Sequence, residues 1–241
     1  MRHRLVCLDA GYTLLAPRRT LGDALRGVLA EHGASVTEEQ LRHAGAAADD
    51  WFWEIYHQPM SDIWTDDARI DDTWRHYHAV MLGDLGLEHL HPALIERILA
   101  AQYAPDSWEL YPDVLPTVRA LRQAGLRLGI LSDWGSNLLP IVEGLGLARE
   151  LDFVIASAAV GLAKPDPAFF ALGAARVGVP PTEALMVGDS IVADIEGARS
   201  AGMEGILIRR PEWRDRRRPV PDGMPVIASL GELPAIVLGE G

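Results

Sequence analysis

The stretch Leu5-Val-Cys-Leu-Asp-Ala-Gly-Tyr-Thr-Leu-Leu15 decides how the chain is read. Its apolar opening, with Val6 and Leu8, is too short for a helix and reads as a buried parallel strand that stops at a carboxylate. Asp9 is therefore expected at the carboxyl end of a strand. In open α/β sheets that edge is where ligands bind, at the point where the strand order reverses. The plain alternative is a strand-ending Asp that opens a turn with Gly11, and the rest of the chain decides between the two.

From Tyr111 onward, strands and helices alternate. Apolar strands are expected over residues 126–131, followed by Ser132-Asp133, then over 153–156, over 185–187 running into Gly188-Asp189, and over 205–208. Helices are expected over 112–123, 137–145, 168–177 and 192–201, with a short last strand near 226–228 and a helix from Gly231. Single helices between strands mean right-handed crossovers, hence an α/β fold, a Rossmann-like parallel sheet with helices on both faces. Residues 17–106 carry no strand pattern. Leu21, Leu25, Val28 and Leu29 recur at helical spacing up to Gly33, and further helices are expected over 38–56, 71–82 and 92–102. The chain thus divides into a core, residues 1–16 and 107–241, and an inserted helical domain, residues 17–106.

Composition narrows the function. With 241 residues and 49% apolar content, the chain can bury a substantial core. No apolar run approaches the roughly 18 residues of a membrane span, and the start lacks the shape of a signal peptide, so a soluble cytoplasmic protein with no membrane partner is expected. A net charge of -12 repels polyanions and argues against nucleic acid as a partner. Cys7, the only cysteine, reads as a small buried hydrophobe. All 22 basic residues are arginine except Lys164, which makes that one ammonium conspicuous. The basic, proline-bounded loop from Arg209 to Pro219 reads as solvated surface.

Four polar features fall on strand ends or on the turns after them. They are Asp9; Ser132; Lys164 within Gly161-Leu-Ala-Lys-Pro-Asp-Pro167; and Gly188-Asp189-Ser190 with Asp194 one helical turn on. Asp166 can cap and Pro167 can open the helix that follows, which holds the Lys164 turn rigidly. An anionic nucleophile, two further acids, a hydroxyl and one lysine in a single mouth suit a phosphoryl group. The carboxylates alone would repel it, so a hard divalent cation, Mg2+, is expected between them. Lys164 and Ser132 would then hold the phosphoryl oxygens while Asp9 attacks to give an aspartyl-phosphate that water hydrolyses.

These residues resemble the four motifs of the haloacid dehalogenase superfamily of phosphohydrolases, in the type with a helical cap inserted after the first strand. Asp9 to Leu14 matches the first motif, Ser132 the second, Lys164-Pro165 the third, and Gly188-Asp189-Ser190 with Asp194 the fourth. The resemblance implies Asp9 as nucleophile, and Asp9, the Gly11 carbonyl, Asp189 and Asp194 as the metal site. Ser132 and Lys164 become the phosphoryl-holding catalytic pair. It also exposes a departure: phosphatases of this superfamily carry a second Asp two residues after the nucleophile, as the acid and base for the leaving group, and Gly11 stands there. The expected activity is magnesium-dependent hydrolysis of a small phosphorylated metabolite, favouring good leaving groups. The alternatives are a non-catalytic or weakly active phosphate-binding protein and a metal-independent haloacid dehalogenase. The insertion is rich in aromatic residues, which read first as core. Trp53, Tyr56, His57 and Trp74 are its candidates for choosing the substrate.

Overall fold

Leu5–Leu8 does form a strand, β1, and it lies at the centre of the main sheet. The structure, a computed structural model, describes residues 3–19, 21–56, 61–90, 92–210 and 219–239. After β1 come β2 (Leu15–Pro17), α1 (Leu21–Glu31), α2 (Glu38–Tyr56), α3 (Asp67–Asp84), α4 (Ala93–Tyr103) and β3 (Trp108–Leu110). The alternating half follows with α5 (Val114–Gln123), β4 (Arg127–Ser132), α6 (Leu138–Gly144), β5 (Phe153–Ala156), α7 (Ser157–Val160) and α8 (Pro167–Arg176). It closes with β6 (Ala184–Gly188), α9 (Gly197–Ser200), β7 (Glu204–Ile208), β8 (Val226–Ile227) and α10 (Leu233–Leu238).

Six strands pair in the order β5-β4-β1-β6-β7-β8, every pair parallel. The order runs outward from β1 on both sides, which makes β1 the point of reversal. Each β1 residue is at most 1% exposed, because both faces of the strand are covered. On one face Leu5 and Cys7 pack with Leu131, Met186 and the α8 pair Phe169 and Phe170. Fully burying such side chains stabilises by about 1.5–3 kcal/mol each, so this strand anchors the sheet. Burial pushes the Cys7 thiol up to about 12, and the residue is an unreactive hydrophobe.

The described chain separates into two compact units, Met1–Ala16 with Glu109–Gly241, and Pro17–Trp108. In the second, Leu25, Leu29, Ala44, Leu82, Leu94 and Ile98 form the core of a four-helix layer. Tyr77 donates to Asp49 Oδ1 (2.7 Å), and Trp74 stacks on Phe52 with 5.6 Å between rings. Burial pushes His78 down to about 4, so it stays neutral while its Nε2 meets Gln102 Oε1 at 3.1 Å. No described helix is long and apolar enough to cross a membrane.

Several boundaries differ from the sequence expectation for local reasons. The helix expected from residue 71 starts at Asp67, because Asp66 caps it by accepting from Arg69 N–H (2.9 Å). β2 and β3 pair with each other, yet at three residues each they are too short to show alternation. The single helix expected over 192–201 is instead a π-helical turn, Ile191–Glu196, running into α9.

Candidate active site

The sheet register brings the site residues to one edge. Leu8 is level with Ile130 on β4 and Val187 on β6, so the carboxyl ends of these three neighbouring strands open together. Asp9 follows β1, Ser132 ends β4 and Asp189 follows β6. Asp9 N–H donates to the Val187 carbonyl (2.9 Å), which fixes where the chain leaves the sheet. Lys164 reaches the same edge from the turn before α8, whose start is set by Pro167 and by Asp166 accepting from Ala168 N–H (2.8 Å).

The single lysine lies between two acids. Its Nζ donates to Asp9 Oδ1 and to Asp194 Oδ1, each at 2.6 Å, and the ammonium is almost wholly enclosed. Ser132 Oγ donates to the same Asp9 oxygen at 2.9 Å. The π-helical turn explains how Asp194 comes to face inward. Ser190 caps it through Ala193 N–H (3.1 Å), while Ser190 N–H donates to Asp194 Oδ2 (2.9 Å). Wide turns of this kind recur at functional sites because they re-aim one side chain. Close passage of β6 also matters: a Cβ on Gly188 would lie 2.2 Å from Asp194 Cγ, so glycine is required there.

One oxygen each from Asp9, Asp189 and Asp194 can be chosen within 4.8 Å of one another. Burial, with Asp9 and Asp194 adding to it, pushes Asp189 well above the usual carboxylate range. Asp194 is pushed up to about 6 by burial and by Asp9, against the pull of Lys164. One ammonium does not balance three acids held this closely. An all-oxygen set with surplus negative charge fits a hard divalent cation such as magnesium.

The geometry also adds residues the sequence did not single out. Asp133 Oδ1 accepts from Lys164 N–H (2.9 Å) and so holds the lysine turn. Burial, reinforced by Asp194 and Asp9, pushes Asp133 up to about 7, and its other oxygen is enclosed without a hydrogen-bond partner among the described residues. Trp134 lies against Gly11, where an added Cβ would meet its Cζ3 at 3.2 Å. Of the substrate candidates, Tyr56 and Trp74 each stack on Phe52 (5.6 Å), both inside the helical unit; Trp53 is half-buried on α2. His57 lies outside the described residues.

Arg210 requires a correction. Expected on a solvated loop, it is buried, pairing both terminal nitrogens with Asp113 (2.7 and 2.8 Å), donating to the Thr13 carbonyl (2.9 Å) and lying 4.0 Å over the Tyr111 ring. Asp113 also accepts from Ser229 Oγ and Leu230 N–H, so the pair ties the loop after Asp9 to the C-terminal segment. Residues 211–218 lie outside the described residues. Burial raises the Asp113 pKa, but Arg210, Ser229 and Leu230 outweigh it, and the carboxyl is held below its usual 3.8. Its stabilising contribution is therefore complete above the unfolded value and disappears as pH falls through the lower folded value. Arg210→Ala is expected to cost about 3 kcal/mol at pH 7 by removing the charge partner of a carboxylate that then keeps only Ser229 Oγ and Leu230 N–H. Urea titrations of both proteins across pH 2–7 check this: the gap should narrow toward the acid end.

A profile of haloacid dehalogenase-like hydrolases matches residues 4–202. With the match spanning most of the length and both the fold and the site in agreement, the chain belongs to this family of hydrolytic enzymes. Haloacid dehalogenase-like hydrolase domain-containing protein 3 of Bos taurus is 36% identical over 248 residues, covering 99% of this chain and 95% of the relative. Among solved structures, the chain resembles a HAD phosphatase from Thermococcus onnurineus, with 26% identity, 97% of each chain covered and a TM-score of 0.64. It also shares its fold with L-2-haloacid dehalogenase from Xanthobacter autotrophicus, at 24% identity and a TM-score of 0.70, over 99% of this chain and 100% of that one. These two similar proteins are named for different reactions, so the choice of reaction rests on the site.

Proposed function

We propose that the protein is a magnesium-dependent phosphohydrolase acting on small phosphorylated compounds through an aspartyl-phosphate on Asp9. The observation that carries this reading is the close group of Asp9, Asp189 and Asp194, in which one lysine bridges the two buried members, Asp9 and Asp194. Displacing halide from carbon needs no cation, and Asp189 and Asp194 would then be surplus buried charge. A magnesium ion held by Asp9, the Gly11 carbonyl, Asp189 and Asp194 supplies positive charge that offsets the phosphoryl group and the acids together.

Asp9 attacks phosphorus in line, a bond forms from its carboxylate oxygen, and the leaving oxygen departs with the electron pair. Ser132 Oγ and Lys164 Nζ, which both donate to Asp9 Oδ1 without substrate, donate instead to the phosphoryl oxygens as charge builds on them. Water then attacks phosphorus and releases Asp9. Position 11 has no side chain to protonate the leaving group, and a positioned acid is worth about 10²- to 10⁴-fold. Simple alkyl phosphates are accordingly poor substrates, whereas acyl and aryl phosphates need no such help.

Phosphate release from acetyl phosphate and para-nitrophenyl phosphate, with magnesium and after EDTA, tests the reading. Metal-dependent turnover of both is expected, with glycerol phosphate far slower; metal-independent dehalogenation of 2-chloropropionate without phosphate release would overturn it. Magnesium should also stabilise the fold. At about 100 times its Kd, a ligand specific for the folded state adds about 2.7 kcal/mol, and Asp189→Asn should abolish that shift in thermal unfolding.

A further inference from the structure

An aromatic ring lies against the backbone two residues past Asp9. Trp134 stands two residues past Ser132, whose Oγ donates to Asp9. Its ring edge lies against the bare backbone of Gly11, 3.2 Å from where a Cβ would be. The backbone carrying that ring is pinned from both sides. Trp134 N–H donates to Ser157 Oγ (3.0 Å), and its carbonyl accepts from Ser157 Oγ (3.3 Å) and from Ala158 N–H (3.2 Å). Ser157 is fully buried at the start of α7, so the backbone that carries the indole is anchored on the core of the sheet. The side chain is nonetheless only partly covered. Glycine at position 11 thus lets the ring edge sit directly on the backbone, since a Cβ there would make a tight contact that displaces the ring edge by a few tenths of an ångström.

We propose that Trp134 is a specificity-determining residue whose indole forms one wall of the leaving-group side and selects aryl phosphates. The proposal rests on the phosphohydrolase reading above and refines its substrate class. The ring and the bare position beside it agree on this chemistry. An indole face favours a planar aromatic partner, in offset or edge-to-face contact worth about 0.5–1.5 kcal/mol beyond area burial. Gly11 itself brings no acidic side chain to the ring, and a phenolate leaves unprotonated far more readily than an alkoxide, phenols having pKa values near 10 against roughly 15.7 for water.

Binding of non-hydrolysable analogues separates the proposal from the reaction. The magnesium-loaded protein is titrated calorimetrically with phenylphosphonate and methylphosphonate, for wild type, Trp134→Leu and Trp134→Phe. The wild type should prefer the phenyl compound, and roughly threefold to tenfold of that preference should come from the aromatic contact beyond apolar burial. Trp134→Phe should keep most of that share, and Trp134→Leu, which keeps apolar burial without a π face, should lose it. A preference unchanged in Trp134→Leu, equal affinities in the wild type, or no binding of either compound would overturn the proposal. Asp9-dependent phosphate release reports separately on the phosphohydrolase reading, so a failure of one is not mistaken for a failure of the other.

Discussion

Lys164→Met is expected to lower kcat/KM for para-nitrophenyl phosphate by about 10³-fold, the upper range for removing one preorganised group that stabilises transition-state charge. The ammonium is held by Asp9 and Asp194 at 2.6 Å on each side. Methionine keeps the length and apolar stem of the side chain, so the loss reports the charge. A second signature distinguishes this from simple damage. With the cation gone, two enclosed carboxylates face each other, so the metal-free variant should lose about 3 kcal/mol of stability. Its affinity for magnesium should be equal to or tighter than that of the wild type, because a competing positive charge has been removed. Lys164→Arg should not restore activity, since a planar guanidinium cannot occupy a site shaped for a compact ammonium. Steady-state kinetics and magnesium calorimetry on the three proteins check each part.

Gly188→Ala should disable the metal site without touching a charged residue. The new methyl carbon would lie 2.2 Å from Asp194 Cγ and 2.3 Å from its Oδ2. β6 cannot retreat, because it is hydrogen-bonded between β1 and β7 and wholly buried. Asp194 must therefore move, giving up Ser190 N–H and Lys164 Nζ. Overpacking of this kind costs about 1–3 kcal/mol, and losing an oriented partner typically weakens metal binding about 10- to 100-fold. Gly188→Ala and Asp194→Ala act through the same carboxylate. Their effects on magnesium affinity should fall well short of additive, and a double-mutant cycle read by calorimetry shows whether they do.

How far the molecule is legible in its sequence depends on whether the signal is local. β1, β4 and β6 are short apolar runs ended by polar residues, and that pattern alone puts Asp9, Ser132 and Asp189 at strand ends. Lys164 pairs with Asp9 across 155 residues of sequence, yet its turn is marked by Pro165, Asp166 and Pro167 and by the absence of any other lysine. Arg210 and Asp113 are 97 residues apart with no such mark. The arginine sits in a run of basic residues, so charge patterning points to solvent when tertiary pairing has buried it. The π-helical turn at Ile191–Glu196 is different: its Ser190 N–H to Asp194 contact spans only four residues, but a wide turn and an ordinary helical turn share the same apolar pattern. Trp134 carries no local mark either: its place against Gly11 spans more than a hundred residues of sequence. The helical insertion is readable as helices from its periodicity, while the division of its aromatics between core and surface depends on how those helices pack.

The most direct test of the central claim is to trap the covalent intermediate. Wild type and Asp9→Asn would be mixed with magnesium and acetyl phosphate, quenched in acid within the first turnover, digested with trypsin and analysed by mass spectrometry. The account predicts one phosphoryl group on the peptide Leu5–Arg18 of the wild type, removed by hydroxylamine as an acyl phosphate is, and neither that adduct nor phosphate release from Asp9→Asn. Phosphate release by Asp9→Asn at the wild-type rate, or a phosphoryl group on any other peptide, would contradict it.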